Sequence, residues 1–348
     1  MFGPKKLRPI THYIAPGLFV GALFVLLVIR RPTTTIHRVN GEIMGTTWSV
    51  TVYGSSAMFS NLQQEIEPIL NDVNRKMSTY LPDSEVSKFN REQSSFVFSS
   101  ETTSVLIEAL RIYNITSGAF DVTVGPLVNA WGFGFPPQTQ NSPDDIKRIK
   151  SFVGSDKLRL DGNTLHKTDP RVKIDLSAIA KGYAVDNVAK HLESIGAANF
   201  LIEVGGELKA KGTAGERSWN IGIEQPEASR GVTNLQIRLQ DAALATSGDY
   251  RNYYEKDGLR ISHTIDPRTG APITHQLASV SVISTSTMTA DAWVTALSVL
   301  GPDEAFSLAE QHKLAIYMLI RDEDGGFLPR SSSFFEQFVQ SSNQGDTP

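Results

Sequence analysis

The sequence predicts an α+β fold in which mixed, largely antiparallel sheets pack against helices. Stretches with helical apolar spacing and stretches rich in Thr and Val follow one another without a regular βαβ rhythm, which disfavours a parallel sheet. The 348 residues, 40% hydrophobic and 20% charged, are typical of a globular protein long enough for about two domains.

The helices are predicted from apolar side chains three and four residues apart and from helix start signals. In the first helix, Leu62, Ile66 and Leu70 share one face. Ser142 opens a later helix, and Ser177 is expected to cap a long one. Helices are predicted over 61–77, from about Ser84, and over 101–116, 124–131, 142–153, 177–195, 288–300 and 302–312.

The strands are predicted from β-branched runs bounded by turn residues. They are expected over 43–53, around 158, 165 and 172, and over 278–284 and 315–320. Short β-type runs separated by glycine turns are expected between 199 and 266. Segment 33–38 is predicted to be a linker.

The N-terminal segment 1–32 is predicted to be one transmembrane helix that serves as an uncleaved membrane anchor. The 17 residues from Tyr13 to Ile29 carry no charge, and a helix of that length reaches roughly 26 Å. Basic residues flank the run, and no small-residue cleavage site follows it. A buried core helix is the alternative. The rest divides into a globular region over 33–340, as one unit or two subdomains, and a disordered tail over 341–348.

Composition excludes several classes of site. The chain has no cysteine, so disulfides, thiolate metal sites and a cysteine nucleophile are ruled out. After the first 32 residues, 28 basic side chains face 37 acidic ones, which makes nucleic acid an unfavourable partner.

The segment 173–186 leads from a strand into a helix. Asp175 is predicted to end the strand, the helix start that follows offers free backbone N–H groups that suit an anionic ligand, and Lys181 lies about one turn into the helix. The alternative is a capped helix with a solvated lysine. The sequence leaves both interpretations open.

Two further clusters carry groups suited to catalysis. His263 precedes a turn of the form Asp-Pro-x-Thr-Gly that begins at Asp266, and an imidazole there is a candidate acid or base. Asp291 and Thr295 are four residues apart in an apolar helix, so their oxygens share a face and suit Mg²⁺. The alternatives are a surface histidine beside a turn, and a helix cap with a hydroxyl bonded to a backbone carbonyl.

In order along the chain, these segments resemble the FAD:protein FMN transferase (ApbE) family. The matching stretches are Met-Gly-Thr-Thr at 44–47, Met-Ser-Thr-Tyr at 77–80, Gly-Ala-Phe-Asp at 118–121, the helix start at 175–186, Glu-Val-Gly-Gly at 203–206, Ala-Thr-Ser-Gly-Asp-Tyr at 245–250, the turn at 263–270 and the helical stretch at 289–295. Each motif alone is weak evidence for the family, but eight motifs in the family's order are specific to it.

The resemblance implies an ApbE-like catalytic region that transfers FMN from FAD to a Ser or Thr hydroxyl of an acceptor flavoprotein and releases AMP. It places the FAD site at Met44, Tyr80, Ala119, Phe120, Asp121, Asp175, Lys181 and Ile265. It gives Mg²⁺ to the carbonyl of Ala178 and to Asp291 and Thr295. His263 is the preferred acid/base group, with Asp266 as its competitor.

Alternatives remain for the activity. The same site would serve a Mg²⁺-dependent FAD pyrophosphatase that gives FMN and AMP, or a membrane-anchored FAD-binding module without turnover. The chain has no Ser/Thr-Gly-Ala-Ser/Thr stretch of its own, so the acceptor is expected to be another protein. The family's usual acceptors face outward, which implies a single-pass anchor in the cell inner membrane with a periplasmic catalytic region.

Overall fold

The computed structural model describes residues 35–54, 59–134, 141–224, 233–248, 253–256 and 259–339. The predicted anchor and the predicted C-terminal tail lie outside these residues. Within the described ranges, no helix has the length and apolar character needed to cross a membrane.

The described residues form strands along most of the chain. They are β1 (Thr35–Ile43), β2 (Thr46–Gly54), β3 (Ser95–Val97), β4 (Leu158–Asp161), β5 (Thr164–Lys167), β6 (Asn199–Val204), β7 (Glu207–Lys211), β8 (Trp219–Glu224), β9 (Thr233–Leu239), β10 (Ala242–Gly248), β11 (Tyr253–Lys256), β12 (Leu259–Ser262), β13 (Ile265–Asp266), β14 (Ala271–Pro272), β15 (Leu277–Ser284), β16 (Ala315–Arg321) and β17 (Phe327–Ser331).

The main sheet has eight strands in the order β1-β2-β6-β7-β10-β15-β16-β17. Every neighbouring pair in it is antiparallel. The remaining strands form the small sheets β3-β5-β4, β8-β9, β11-β12 and β13-β14. The predicted α+β class with largely antiparallel sheets is therefore confirmed.

The helices agree closely with those predicted from apolar spacing. They are α1 (Leu62–Met77), α2 (Glu85–Arg91), α3 (Ser100–Ile115), α4 (Gly125–Ala130), α5 (Pro143–Lys150), α6 (Ala180–Ser194), α7 (Thr287–Leu300) and α8 (Pro302–His312). The side chains of Ser84, Ser99, Ser142 and Ser286 accept hydrogen bonds from backbone N–H groups in the first turns of α2, α3, α5 and α7, which is the capping that helix starts require.

The two faces of the main sheet bury different sets of side chains. On one face, α1, α6 and α7 pack over strand residues such as Val50, Ile202 and Val280. On the other face, β8 and β9 cover a smaller core that includes Leu244 and Phe335. On the helix-covered face, α6 and α7 lie in contact with each other.

Three local predictions are wrong. Residues 35–38 are not linker but the start of β1, which forms a hairpin with β2 through a turn in which Met44 and Gly45 have φ of 52° and 72°. Val172 is not in a strand. Two residues later, the Asn90 side chain accepts a hydrogen bond from the N–H of Ile174 and donates one to its carbonyl. These backbone groups are therefore satisfied without a neighbouring strand.

The third correction concerns Ser177, which does not cap the long helix. Its N–H and its hydroxyl both donate to Oδ1 of Asp175, and α6 begins only at Ala180. A carboxylate two residues earlier in the chain therefore engages the serine that was expected to cap the helix. This turn places residues 175–178 as an irregular segment ahead of α6.

Candidate functional site

A cleft of about 320 Å³ lies where α6 and α7 meet the loops before α4 and around β13. Its walls come from residues of the loop over 119–125, from residues of the segment ahead of α6, from residues 263–265 with Pro267, and from the inner face of α7. We call it the main cleft. Besides His263, nine of the sequence-predicted site residues line it: Ala119, Phe120, Asp121, Asp175, Ala178, Lys181, Ile265, Asp291 and Thr295.

Two sequence features hold α6 and α7 close together. At Gly182 an added Cβ would lie 2.4 Å from the carbonyl oxygen of Thr287, so only glycine allows this approach. The Asp186 carboxylate accepts hydrogen bonds from the N–H groups of Thr287 and Met288 at the start of α7. These hydrogen bonds hold the start of α7 against α6. The Gly182 N–H also donates to Oδ2 of Asp291 at 2.9 Å.

Lys181, Glu207 and Asp291 form the charged centre of the main cleft. The Lys181 ammonium lies 2.6 Å from Oε1 of Glu207. Both carboxylates are buried, with 3% of Glu207 and 3% of Asp291 exposed. In the described part of the chain, the second oxygen of Glu207 is buried without a hydrogen-bond partner. The positive charge of Lys181 therefore interacts with two buried carboxylates.

The protonation of this cluster follows from burial and charge. Desolvation and the nearby charge of Asp291 raise the pKa of Glu207 to about 8, against the opposing effect of Lys181. Desolvation also raises the pKa of Asp291, although Lys181 and the Gly182 N–H oppose it. Desolvation lowers the pKa of Lys181, but the charges of Asp291 and Glu207 outweigh it, so that pKa is raised. A further cation would relieve the repulsion between the two acids.

The predicted metal ligands fit a hard cation of this kind. Among the described residues, no three His, Asp or Glu side chains converge as a metal-binding group, so a metal here needs mixed oxygen donors. Ala178, Asp291 and Thr295 line one cleft and offer a carbonyl, a carboxylate and a hydroxyl, the donor types that Mg²⁺ prefers. Glu207 nearby has a buried oxygen without a hydrogen-bond partner among the described residues.

Asp121 is buried and supports the cleft wall. Its carboxylate accepts hydrogen bonds from the N–H and hydroxyl of Thr123, at 2.8 and 2.7 Å, and from the N–H and hydroxyl of Ser155, at 3.1 and 2.6 Å. The carboxylate therefore joins the loop after α3 to the segment before β4. Asp121 lines the main cleft, and these hydrogen bonds are made to the protein.

His263 and Asp266 have different surroundings, although they are three residues apart. His263 lines the main cleft, and its ring lies 6.3 Å from that of Phe133 in an edge-to-face arrangement. Asp266 is buried and forms a two-pronged ion pair with Arg268 inside the turn. Asp266 is not among the residues that line the main cleft.

Met44 and Tyr80 lie in a neighbouring pocket rather than in the main cleft. This side pocket is lined by residues of the β1–β2 turn and of the C-terminal end of α1, and it shares Ser177 and Lys181 with the main cleft. Tyr80 is 66% exposed. The two cavities therefore adjoin at the start of α6, and together they offer an elongated site.

Sequence reasoning missed Glu207 as a functional residue. It begins β7 immediately after the turn formed by Gly205 and Gly206, and its partner Lys181 is 26 residues earlier. The one available signal was an acid directly following two glycines. That signal does not identify Lys181 as the partner, because the β6–β7 hairpin of the sheet brings the two side chains together.

Comparisons with known proteins all point to one family. The ApbE family model matches residues 44–319. The FAD:protein FMN transferase of Haemophilus influenzae is 42% identical over 338 residues, 93% of this chain and 97% of that protein. The one from Escherichia coli K12 is 36% identical over 341 residues, 93% and 97% of the two chains. The solved flavin transferase ApbE from Vibrio cholerae has a TM-score of 0.82 at 39% identity, covering 88% of this chain and 100% of that one.

Proposed function

The chain belongs to the ApbE family and is, like its relatives, an enzyme; from that premise we propose that it transfers FMN from FAD to a Ser or Thr hydroxyl of an acceptor flavoprotein and releases AMP. The observation that carries the proposal is the charged centre of the main cleft, where Lys181, Glu207 and Asp291 meet beside His263. A cation-dependent phosphoryl transfer needs such a site, with a group able to accept a proton close by.

The proposed reaction forms one phosphorus–oxygen bond, breaks another and moves one proton. The acceptor hydroxyl oxygen attacks the phosphorus of the FMN phosphate, and the bond from that phosphorus to the bridging oxygen breaks. AMP leaves with that oxygen, and His263 receives the hydroxyl proton. A free hydroxyl is a weak nucleophile, so a base at this point contributes directly to the rate.

The other residues bind and orient. Ala178, Asp291 and Thr295 would hold Mg²⁺, which when bound neutralises charge on the pyrophosphate and on the departing AMP. Lys181, between the main cleft and the side pocket, would contact a phosphate. Met44, Tyr80, Ala119, Phe120, Asp175 and Ile265 would contact the remaining parts of FAD.

We also propose that segment 1–32 anchors the protein in the cell inner membrane with its catalytic region in the periplasm. The support is the uncharged run from Tyr13 to Ile29 with its basic flanks. Full-length protein should sediment with membranes after high-salt washing, and the chain beginning at residue 33 should not. Release of the full-length protein by salt alone would rule out a spanning anchor.

The transferase activity is tested by the intact mass of the acceptor. Full-length protein in detergent is incubated with FAD, Mg²⁺ and a membrane flavoprotein domain as acceptor. The acceptor should gain the mass of one FMN residue, and chelation of the metal or replacement of the acceptor threonine should prevent it. Free FMN and AMP with an unmodified acceptor would identify a pyrophosphatase instead, and bound FAD without any product would identify a binding module.

A further inference from the structure

A second, larger cavity of about 680 Å³ lies next to the main cleft. Its walls come from the start of β2, the β6–β7 turn, the end of β8 and the end of β10. Thr47, Gly206, Gly222 and Gly248 are among its lining residues. We call this cavity the β8 groove.

Five residues line both the β8 groove and the main cleft: Lys181, Glu207, Thr246, Ser247 and His263. The other lining residues of the two cavities come from different elements. The five shared residues therefore form a partition with the main cleft on one side and the β8 groove on the other. His263, the proposed base, is part of this partition.

The geometry of phosphoryl transfer indicates which cavity receives FAD and which receives the acceptor protein. The attacking oxygen approaches the phosphorus roughly in line with the leaving oxygen, so the acceptor hydroxyl and AMP lie on opposite sides of the reacting phosphate. With FAD in the main cleft and side pocket, as proposed above, a hydroxyl whose proton His263 takes must reach the partition, because His263 is part of it. The β8 groove is the cavity that opens on that side.

We propose that the β8 groove binds an extended segment of the acceptor protein and delivers its Ser or Thr hydroxyl to His263. This inference rests on the proposed transferase function and adds to it the surface that receives the protein substrate. The walls suit a polypeptide, because small residues allow its backbone to approach closely. At Gly206, for example, an added Cβ would meet no heavy atom within 4 Å, so the groove is open above the turn.

Strand alternation offers a matched test. In β8, Asn220 and Gly222 are exposed while Ile221 and Ile223 are buried, so positions 220 and 222 project from the same face. Only Gly222 of these two lines the β8 groove. Gly222→Trp should fill the groove, and Asn220→Trp is the control. Thr47→Trp, an exposed position on β2, fills the groove from a different wall.

The measurement is acceptor flavinylation by full-length protein, with the acceptor domain that the wild type modifies as the probe. We expect G222W and T47W to raise the KM for the acceptor at least tenfold while the Kd for FAD changes less than twofold, and N220W to resemble the wild type. Unchanged acceptor kinetics in both groove variants would overturn the inference. A parallel loss of FAD affinity in stably folded variants would also overturn it, because the groove would then hold the nucleotide.

A photocrosslinking amino acid at position 47 tests the same surface without filling it. The crosslinked acceptor peptide should contain the flavinylated Ser or Thr, and crosslinks only to other parts of the acceptor would contradict the proposal. Failure of the transferase function itself looks different, because the wild type would then leave the acceptor unmodified. These outcomes separate an error about the groove from an error about the reaction.

Discussion

At the residue scale, His263 and Asp266 can be told apart by where each lies relative to the cavities. Asp266 is neutralised by Arg268 in its own turn, whereas His263 lines both the main cleft and the β8 groove. We expect His263→Ala to lower kcat by roughly 10²- to 10⁴-fold, the usual contribution of a general base. The Kd for FAD, measured by fluorescence titration, should change little. A loss confined to FAD affinity would mean that His263 only binds.

Asp291 accepts a structural hydrogen bond in addition to its proposed role in binding Mg²⁺, and two substitutions can separate the two. Asp291→Ala should abolish Mg²⁺-dependent turnover and leave the fold intact, but it also leaves the Gly182 N–H without its acceptor, at a cost of about 1–3 kcal/mol. Asp291→Asn keeps an acceptor oxygen, so it should lose turnover with a smaller loss of stability. Calorimetric Mg²⁺ titration and urea unfolding measure the two effects. Full activity of either variant with Mg²⁺ would remove Asp291 from the metal site.

At the element scale, the contact between α6 and α7 depends on a missing side chain. In an exposed helix, Gly→Ala stabilises by about 1 kcal/mol, but at Gly182 the new methyl would collide with the backbone of Thr287 and Met288. We expect Gly182→Ala to lower the free energy of unfolding by about 1–3 kcal/mol, as overpacking does. Urea unfolding measures it, with the exposed Lys190→Ala as the control for α6. A stabilised Gly182→Ala would show that the two helices separate readily.

The elements that sequence predicts well are those with redundant local signals. Helix α1 has a continuous apolar face, and α5 has both Ser142 as its cap and Pro143 in its first turn. The errors arise where a distant or competing partner decides. Asp175 engages Ser177 and delays the start of α6, and Asn90 holds Ile174 across 84 residues. Local periodicity contains no information about such partners.

At the scale of the whole molecule, the site is assembled from segments far apart in the chain. The family resemblance, carried by local motifs, named ten residues that line the main cleft, but it did not name Glu207. The electrostatics of the main cleft depend on the sheet, because the pairing of β6 with β7 places Glu207 beside Lys181. The separation of Met44 and Tyr80 into a side pocket likewise follows from where the β1–β2 turn and the end of α1 meet, and no motif predicts it.

The buried acid Glu207 should make the stability of the whole metal-free protein depend on pH. Its pKa is raised to about 8 in the folded chain and returns to its ordinary value on unfolding, so the folded state holds a proton that the unfolded state releases between about pH 4.5 and pH 8. The free energy of unfolding is therefore highest below that range and decreases as the pH rises through it, by on the order of 1 kcal/mol per pH unit.

Glu207→Gln, a neutral isostere, should remove this part of the pH dependence, so that the variant gains stability relative to the wild type between pH 5 and pH 9. Urea unfolding in the presence of a chelator at these pH values measures the difference, with the exposed Glu336→Gln as the control. Because a bound cation favours the charged carboxylates, Mg²⁺ should flatten the wild-type curve as well. Parallel curves for the wild type and Glu207→Gln would mean that Lys181 already keeps Glu207 ionised, and the cluster would then have less need of a second cation.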